Sequence, residues 1–195
     1  MPRARPLDIF IVAEQFRYAG KLATIIPPLV STNPAAAPAL AFARNLHMPT
    51  ASMVCAAFAL ELYFKCLIRM GRKSFAREHD LAKLFRLVGR RNRVIIKRYW
   101  HDNSANVLAY IEREYQISDR PVPKVDFDFV LSASKDAFVV MRYIYEPGLK
   151  PDTGWLADVI VEAARRTILD KHPDWERAHQ TSPLPEASFQ STTPS

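Results

Sequence analysis

The stretch AAFALELYFKCLIRMGRKSFAREHDLAKLFRLV, residues Ala56–Val88, decides the fold. Its first half is predicted to be a long apolar helix, because apolar side chains recur at the spacing of one helical face. These side chains are Ala56, Leu60, Phe64, Leu67 and Ile68. Gly71 is predicted to end this helix as a C-terminal cap. After a short basic turn, Asp80 is a good N-cap for a second helix that runs to Val88.

Two charged residues lie within the apolar helix, Glu61 and Lys65, four positions apart in the favourable order. One interpretation is a solvated ion pair on the surface, which is the commoner case. The other is a charged pair lining a cleft, where burial would shift its pKa values. His79 lies just outside the second helix, and a side chain that hydrogen-bonds the loop back to its neighbour is favoured over catalysis for it.

The fold class follows from composition. A chain of 195 residues with 49% hydrophobic residues can form one domain with a real core. Glycine is scarce, prolines cluster between periodic segments, and strand-like alternation is hard to find, so an all-α fold is predicted. We expect one domain over residues 1–172 and a disordered polar tail over 173–195, which is too poor in apolar residues to order itself. The main helices are predicted at Leu7–Ala23, Ala39–Leu46, Thr50–Met70, His79–Val88, Arg90–Trp100 and Asp126–Glu146, with others after Asp102 and Pro151.

Cysteine use and hydropathy predict a cytoplasmic protein without membrane contact. Cys55 and Cys66 lie too far apart on one helix to bridge, and are interpreted as buried thiols of a reducing compartment. No signal peptide is evident, because charged residues interrupt the first apolar run. The uncharged stretch Leu22–Ala43 is long enough to span a bilayer, but its four prolines argue against a transmembrane helix.

The net charge of +7 is concentrated in one region. Residues Arg69–Arg98 contain 11 Lys or Arg against two acidic residues, whereas the rest of the chain is slightly acidic. Such a region fits phosphate contacts with nucleic acid, or a solvated helical face. The candidate phosphate-binding residues are Lys65, His79, Arg90, Arg91, Arg93, Lys97 and Arg98.

Three segments together resemble a HEPN domain (higher eukaryotes and prokaryotes nucleotide-binding). They are ELYFKCLIRMG at Glu61–Gly71, the His79–Leu81 triplet followed by Leu84 and Phe85, and FVVMRYIYE at Phe138–Glu146. Their order and spacing match the family from about Thr50 to Leu169. The resemblance is carried by the three segments together.

The resemblance implies an antiparallel bundle of four to five main helices, often dimeric. Many members are metal-independent endoribonucleases of toxin–antitoxin, abortive-infection and RNA-processing systems, and others are non-catalytic partners, including companions of minimal nucleotidyltransferases. Active members carry Arg, four to six intervening residues and then His on a late helix. The imidazole can move the ribose 2′-hydroxyl proton near neutral pH, and the guanidinium stabilises charge on the phosphate.

This chain departs from that motif. Arg142 is present, but Glu146 stands where a histidine is expected nearby. Arg165 and Arg166 precede His172 at a spacing that fits formally. The ribonuclease motif is therefore either degenerate or displaced, and the candidate catalytic residues are Arg142, Glu146 and His172.

A network of two ion pairs is a further prediction. Arg142 and Glu146 are one turn apart, as are Glu61 and Lys65, so two facing helices could join them. The bonding partners in this network would be Tyr143, Tyr145 and His79. The network is interpreted as buried and structural, with a phosphate or nucleotide pocket as the alternative.

Two functions remain open from the sequence. The first is an RNA-associated HEPN-like protein of a defence or toxin–antitoxin system, as a binding protein or a metal-independent endoribonuclease. The second is a non-catalytic helical module for dimerisation or docking. The expected partners are a second copy, RNA, and a cognate antitoxin or nucleotidyltransferase. No cofactor or metal is expected, because no His, Cys, Asp and Glu cluster has ligand spacing.

Overall fold

The computed structural model describes residues 4–25, 37–71, 77–105, 108–109, 112, 116, 124–134 and 157–181. In these residues the regular structure is helical, without strands, and the helices pack against one another, so the all-α class is confirmed. The helices are α1 (Pro6–Ile25), α2 (Ala37–Gly71), α3 (Leu81–Leu87), α4 (Arg90–Asn103), α5 (Phe127–Ala133), α6 (Ala157–Leu169) and α7 (Trp175–Thr181).

Helices α1 and α2 form an antiparallel pair, and their contact is the most extensive between any two described helices. At one end, the thiol of Cys66 donates a hydrogen bond of 3.3 Å to the carbonyl of Pro6. At the other end, a Cβ atom added at Gly20 would lie 3.1 Å from the Cβ of Cys55. A glycine at position 20 therefore allows the two backbones to approach closely.

Helix α2 is the central element, because α1, α3 and α6 all pack on it. Its innermost side chains are fully buried, and they are Ala59, Leu60, Tyr63, Phe64 and Cys66. In the described part of the chain, the segment Ala51–Gly71 is the one stretch long and apolar enough, by length and composition alone, to cross a membrane. Since 56% of its most apolar window is buried inside the protein, it is compatible with the core helix of a soluble protein, which passes the same test.

The start of α2 corrects one prediction. Separate helices were expected at Ala39–Leu46 and Thr50–Met70, with Pro49 at the start of the second. Instead α2 is continuous from Ala37 to Gly71 and passes through Pro49. A proline removes one helical hydrogen bond, at a cost of about 3 kcal/mol, but the chain on both sides is rich in alanine, the best helix former. The predicted end at Gly71 is confirmed.

The short helices α3 and α5 begin with side-chain caps. Asp80 Oδ1 accepts a 2.9 Å hydrogen bond from the backbone N–H of Lys83, as predicted for an N-cap. Asp126 Oδ1 accepts in the same way from Phe129, at 2.8 Å. Each cap satisfies a backbone donor that the first helical turn leaves free.

Part of the predicted disordered tail is helical. A disordered tail was predicted from Pro173, but residues Trp175–Thr181 form α7. The indole of Trp175 lies 5.6 Å from the ring of Phe10, between ring centroids, and α7 packs on α1. Contacts with the core therefore accompany helical order in a polar segment that composition alone predicts to be disordered. Residues 182–195 lie outside the described part.

Several other predicted features differ in detail. Helix α5 ends at Ala133, and the rest of the helix predicted to reach Glu146 lies outside the described residues, as does the predicted start near Pro151. Cys66 is buried, and burial raises the pKa of its thiol to about 12. Cys55 is only partly buried, so the interpretation of both cysteines as buried thiols is too broad.

Candidate functional site

Helix α4 presents a positively charged face to solvent, opposite a buried stripe formed by Asn92, Ile96 and Trp100. The exposed cations of this region come from the end of α3 and from α4, and we call them the basic face: Arg86, Arg90, Arg91, Lys97 and Arg98. On the helix, positions 91, 94 and 98 lie on one side, because residues three and four apart are neighbours. Val94, at the centre of this side, is also exposed.

Two of the predicted phosphate-binding residues, Lys97 and Arg93, are less available to a ligand than their neighbours on α4. The ammonium of Lys97 lies 2.7 Å from a carboxylate oxygen of Asp128 and 5.2 Å from the ring centroid of Phe127. Arg93 is only partly exposed, and its Nε is buried without a hydrogen-bond partner in the part of the chain that is described. Arg91 and Arg98 are therefore the better candidates for contacts with a ligand.

A second cluster joins three of the predicted residues, Glu61, Lys65 and His79. Glu61 Oε1 accepts a hydrogen bond of 2.7 Å from the ammonium of Lys65 and lies 3.0 Å from Nδ1 of His79. The side chains of Glu61 and Lys65 are only 12% and 6% exposed, so the preferred interpretation as a solvated surface pair is wrong. The imidazole, in contrast, is 78% exposed.

The loop before α3 fixes the position of His79. Glu78 Oε1 accepts hydrogen bonds of 3.0 Å from the backbone N–H groups of His79 and Asp80. These two bonds lower the pKa of Glu78 below its ordinary value. Asp80 also caps α3, so the backbone on both sides of His79 is held in place. The imidazole lies against the carboxylate of Glu61 on α2.

The most buried polar cluster was not predicted. Glu14 of α1 is fully buried, and its carboxylate accepts hydrogen bonds from Arg165 of α6 at 2.9 Å and from Arg17 at 3.0 Å. The hydroxyl of Tyr63 on α2 donates a third hydrogen bond to the same carboxylate. The guanidinium of Arg165 also reaches Glu176 of α7 at 3.1 Å. This Glu14 network therefore ties four helices together.

The network shifts the protonation of its members. Burial alone would raise the pKa of Glu14, but the hydrogen bonds from Arg17, Tyr63 and Arg165 outweigh this effect, so the pKa lies below the ordinary 4.5. Burial, followed by the charge of Glu14, raises the pKa of the Tyr63 hydroxyl. Glu14 is therefore charged, and Tyr63 is a hydrogen-bond donor, at neutral pH.

Lowering the pH should reduce the free energy of unfolding, because Glu14 becomes protonated. Because its folded pKa is below its unfolded value, its contribution to stability is complete above about pH 4.5 and is lost as the pH falls through the folded pKa. We expect the free energy of unfolding to fall more for the natural chain than for Glu14→Gln when the pH is lowered from about 5 to about 3, as measured by urea titration. Asp8 and Glu78, whose pKa values are also lowered, are present in both proteins and cancel in the comparison. Parallel declines for the two proteins would contradict the assignment.

A cleft of about 550 Å³ opens beside the Glu14 network, between α1, α2 and α6. Its charged lining comprises Arg17, Lys21, Arg165, Arg166, Asp158, Glu162 and Glu176. Both signs of charge are mixed on its walls, so the cleft matches neither a purely anionic nor a purely cationic ligand.

The predicted catalytic residues are not assembled in the described structure. Arg142 and Glu146 lie outside the described residues, as do Tyr143 and Tyr145. Of the displaced motif, Arg165 is held in the Glu14 network, and the imidazole of His172 stacks on Trp175 with ring centroids 4.2 Å apart. Arg166 donates a hydrogen bond of 3.1 Å to Glu162. These contacts give Arg165 and His172 packing partners of their own.

In the described ranges, no group of three or more His, Cys, Asp or Glu side chains is arranged to hold a metal ion. Comparisons of this chain with family models, curated proteins and solved structures find no match.

Proposed function

We propose that this protein binds RNA through the basic face of α3 and α4. The observation that carries the proposal is the exposure of Arg86, Arg90, Arg91 and Arg98 in the region that holds the excess positive charge of the chain. Guanidinium groups bind phosphate oxygens in a bidentate manner and are weakly hydrated, so they suit contacts along a phosphate backbone. Polyanion binding releases counterions and supplies sequence-independent affinity.

The resemblance to HEPN domains supports RNA over other polyanions and defines the wider proposal. On this basis the protein is a cytoplasmic homodimer of a defence or toxin–antitoxin system. Its protein partner is then a cognate antitoxin or a nucleotidyltransferase, and it acts either as an RNA-binding protein or as a metal-independent endoribonuclease. Of these parts, the surface cations support contact with RNA, and the all-α fold agrees with the fold class that the resemblance implies.

Removing two charges of the basic face should weaken RNA binding. We expect Arg91→Gln with Arg98→Gln to raise the Kd for a mixed-sequence RNA oligonucleotide roughly tenfold at low salt, because two phosphate contacts are lost. The plot of log K against log salt should become shallower by roughly one to two units. Fluorescence anisotropy over a salt series measures both quantities.

A charge-matched control distinguishes phosphate contact from net charge. Arg5 and Arg177 are also exposed arginines but lie outside the basic region, and Arg5 is paired with Asp8 at 2.8 Å. Arg5→Gln with Arg177→Gln removes the same charge and should change the Kd by less than about twofold. Equal losses in the two double variants would show general attraction only. Absence of any RNA binding at low salt would remove the proposal.

A second candidate is a non-catalytic dimerisation module, which the outer side of α1 favours. Val12, Tyr18 and Leu22 are large apolar side chains on this helix, and all three are exposed. A second copy of the chain could bury them. A stable dimer without RNA affinity in light-scattering and binding measurements would support this candidate, and a strictly monomeric protein would exclude it.

A further inference from the structure

We infer that the cleft between α1 and α6 binds a small zwitterion, a molecule of amino-acid or dipeptide size that carries one ammonium and one carboxylate group. This inference goes beyond RNA binding and does not depend on it. It arises from the charges on the two walls of the cleft. Arg17 and Lys21 of α1 line one wall, and Asp158 and Glu162 of α6 line the other.

The cleft forms because α1 and α6 both pack on α2, while contacts between their own backbones are few. At one end the two helices are joined by Glu14 and Arg165, at 2.9 Å. Small residues of α1 and α2 also line the space, among them Gly20, Ser52 and Ala56. They leave a volume of about 550 Å³, which lies within the range of small-molecule sites.

The two charged walls face each other because α1 and α6 run in opposite directions. The contact between Glu14 and Arg165 fixes one level of the two helices. Seven residues later on α1, the charge of Lys21 acts on Asp158, which is seven residues earlier on α6. Within each wall the two like charges are four residues apart, a spacing that disfavours a helix on its own. A ligand with one charge of each sign offsets the repulsion on both walls.

Asp158 is suited to receive the ammonium group. Its side chain reaches the cleft and is accessible there. The surrounding protein still removes part of its hydration, which raises the pKa of the carboxyl above its ordinary value. Lys21 opposes this effect through its charge and not through a hydrogen bond. An ammonium group placed against Asp158 would replace the lost hydration with charge-assisted hydrogen bonds.

The wall of α1 supplies donors for the carboxylate group. Arg17 donates from Nε and Nη2 to Glu14, at 3.3 and 3.0 Å, so its guanidinium is held in place and Nη1 takes no part in that contact. Lys21 is exposed one turn further along the same side of α1. A planar guanidinium beside an ammonium group is a suitable pair of donors for a carboxylate.

The charge balance of the cleft favours a ligand without net charge. Its described lining has four cations and three carboxylates, and the adjoining Glu14 makes the two numbers equal. Some of these charges already neutralise one another, since Arg166 donates to Glu162 at 3.1 Å and Arg165 donates to Glu176 at 3.1 Å. A zwitterion keeps this balance, whereas a ligand of one charge would leave one wall without a counterpart.

Isothermal titration calorimetry on the full chain at neutral pH tests the charge requirement. The probes are the L-amino acids with uncharged side chains and dipeptides made from them. Each is compared with its N-acetyl derivative, which lacks the ammonium charge, and with its C-terminal amide, which lacks the carboxylate. We expect at least one zwitterion to bind with a Kd of roughly 1 mM or lower, and both of its derivatives to bind at least about tenfold more weakly.

Two variants assign the poles of the ligand to the two walls. Asp158→Asn should remove the preference for the zwitterion over its N-acetyl derivative, because the partner of the ammonium group is lost. Lys21→Gln should reduce the preference over the amide at least about threefold, since Arg17 remains in place. Both replaced side chains are exposed, so the midpoint of urea unfolding should stay unchanged.

The matched controls are Asp8→Asn and Lys83→Gln. They remove the same chemical groups from side chains that are 43% and 55% exposed and that do not line the cleft. Each should change the Kd of the zwitterion less than about twofold.

The outcomes decide the inference in either direction. Absence of binding for every probe at about 10 mM overturns it. Equal binding of a zwitterion and its N-acetyl derivative would indicate a simple anion site, and equal binding of the amide a cation site, and either result overturns it. Equal losses in the cleft variants and in the controls overturn it as well. Selective binding of a zwitterion that is lost in Asp158→Asn and kept in Asp8→Asn establishes the site.

Discussion

Replacing Glu14 with alanine is expected to lower the free energy of unfolding by about 3–5 kcal/mol. The carboxylate is fully buried and accepts hydrogen bonds from Arg165 and Arg17, and from the hydroxyl of Tyr63. Removing one partner of a buried ion pair leaves the other charge without compensation, which costs more than the pair itself contributes. The charge of Arg165 is the most costly to leave without a partner, because its side chain is itself nearly buried.

The matched control for Glu14 is Glu176, which pairs with the same guanidinium from the other side. Glu176 lies 3.1 Å from Arg165, but its side chain is 58% exposed, so water can replace it. Glu176→Ala should cost about 1 kcal/mol or less. Urea unfolding followed by circular dichroism at neutral pH gives both values. Similar losses in the two variants would mean that the Glu14 network contributes no more than a surface ion pair.

Replacing both charges tests the same argument from the other direction. In Glu14→Leu with Arg165→Met, no uncompensated charge remains at that contact, although Tyr63 and Arg17 each lose an acceptor. The double variant should therefore be more stable than Glu14→Ala, even though it carries more changes. A double variant that is less stable by the sum of the single losses would contradict the account.

Local signals in the sequence predicted the helices well. The apolar spacing between Ala56 and Ile68, the end at Gly71 and the N-cap at Asp80 each depend on residues within a few positions of one another. Such signals act within one or two helical turns, so a single sequence contains them fully. Pro49 is the exception. Proline usually marks the boundary of a helix, but here the alanine-rich flanks support a continuous helix.

The Glu14 network could not be predicted in the same way. Glu14 and Arg165 are 151 residues apart, and nothing local indicates that α6 places a guanidinium against α1. From the sequence, Glu14 was a charge that interrupts an apolar run. A signal was present nonetheless, because Glu14 is one turn after Phe10 and so shares its buried side of α1.

The Glu61 cluster lies between these cases. The spacing of Glu61 and Lys65 predicts an ion pair, and the ion pair forms. Its burial depends on the packing of α1, α3 and α6 around α2, which the spacing does not specify. His79 was among the predicted bonding partners. That the carboxylate of Glu61 is buried while the imidazole is exposed depends on the position of the loop before α3, which the sequence does not specify.

The packing of α3 can be tested at Phe85, and the expected effect is again large. Phe85 is buried, and its ring lies 5.5 Å from that of Phe64 on α2 and 4.9 Å from that of Phe127 on α5, between centroids. Phe85→Ala should lower the free energy of unfolding by about 3–5 kcal/mol, because it removes a large apolar side chain and leaves a cavity. A helix of seven residues is not stable alone, so packing at Phe85 accounts for much of the order in α3.

Phe129 provides the control, because it is a phenylalanine on the neighbouring helix α5 with a side chain that is 40% exposed. The same substitution there should cost about 1 kcal/mol or less, with an equal change in intrinsic helix preference. Urea unfolding measures both variants, and hydrogen exchange adds a local readout, since Phe85→Ala should speed exchange of the amides of α3 more than those of α2. Equal losses of stability, or unchanged exchange in α3, would mean that this helix is held by its N-cap and its chain connections rather than by the aromatic contacts of Phe85.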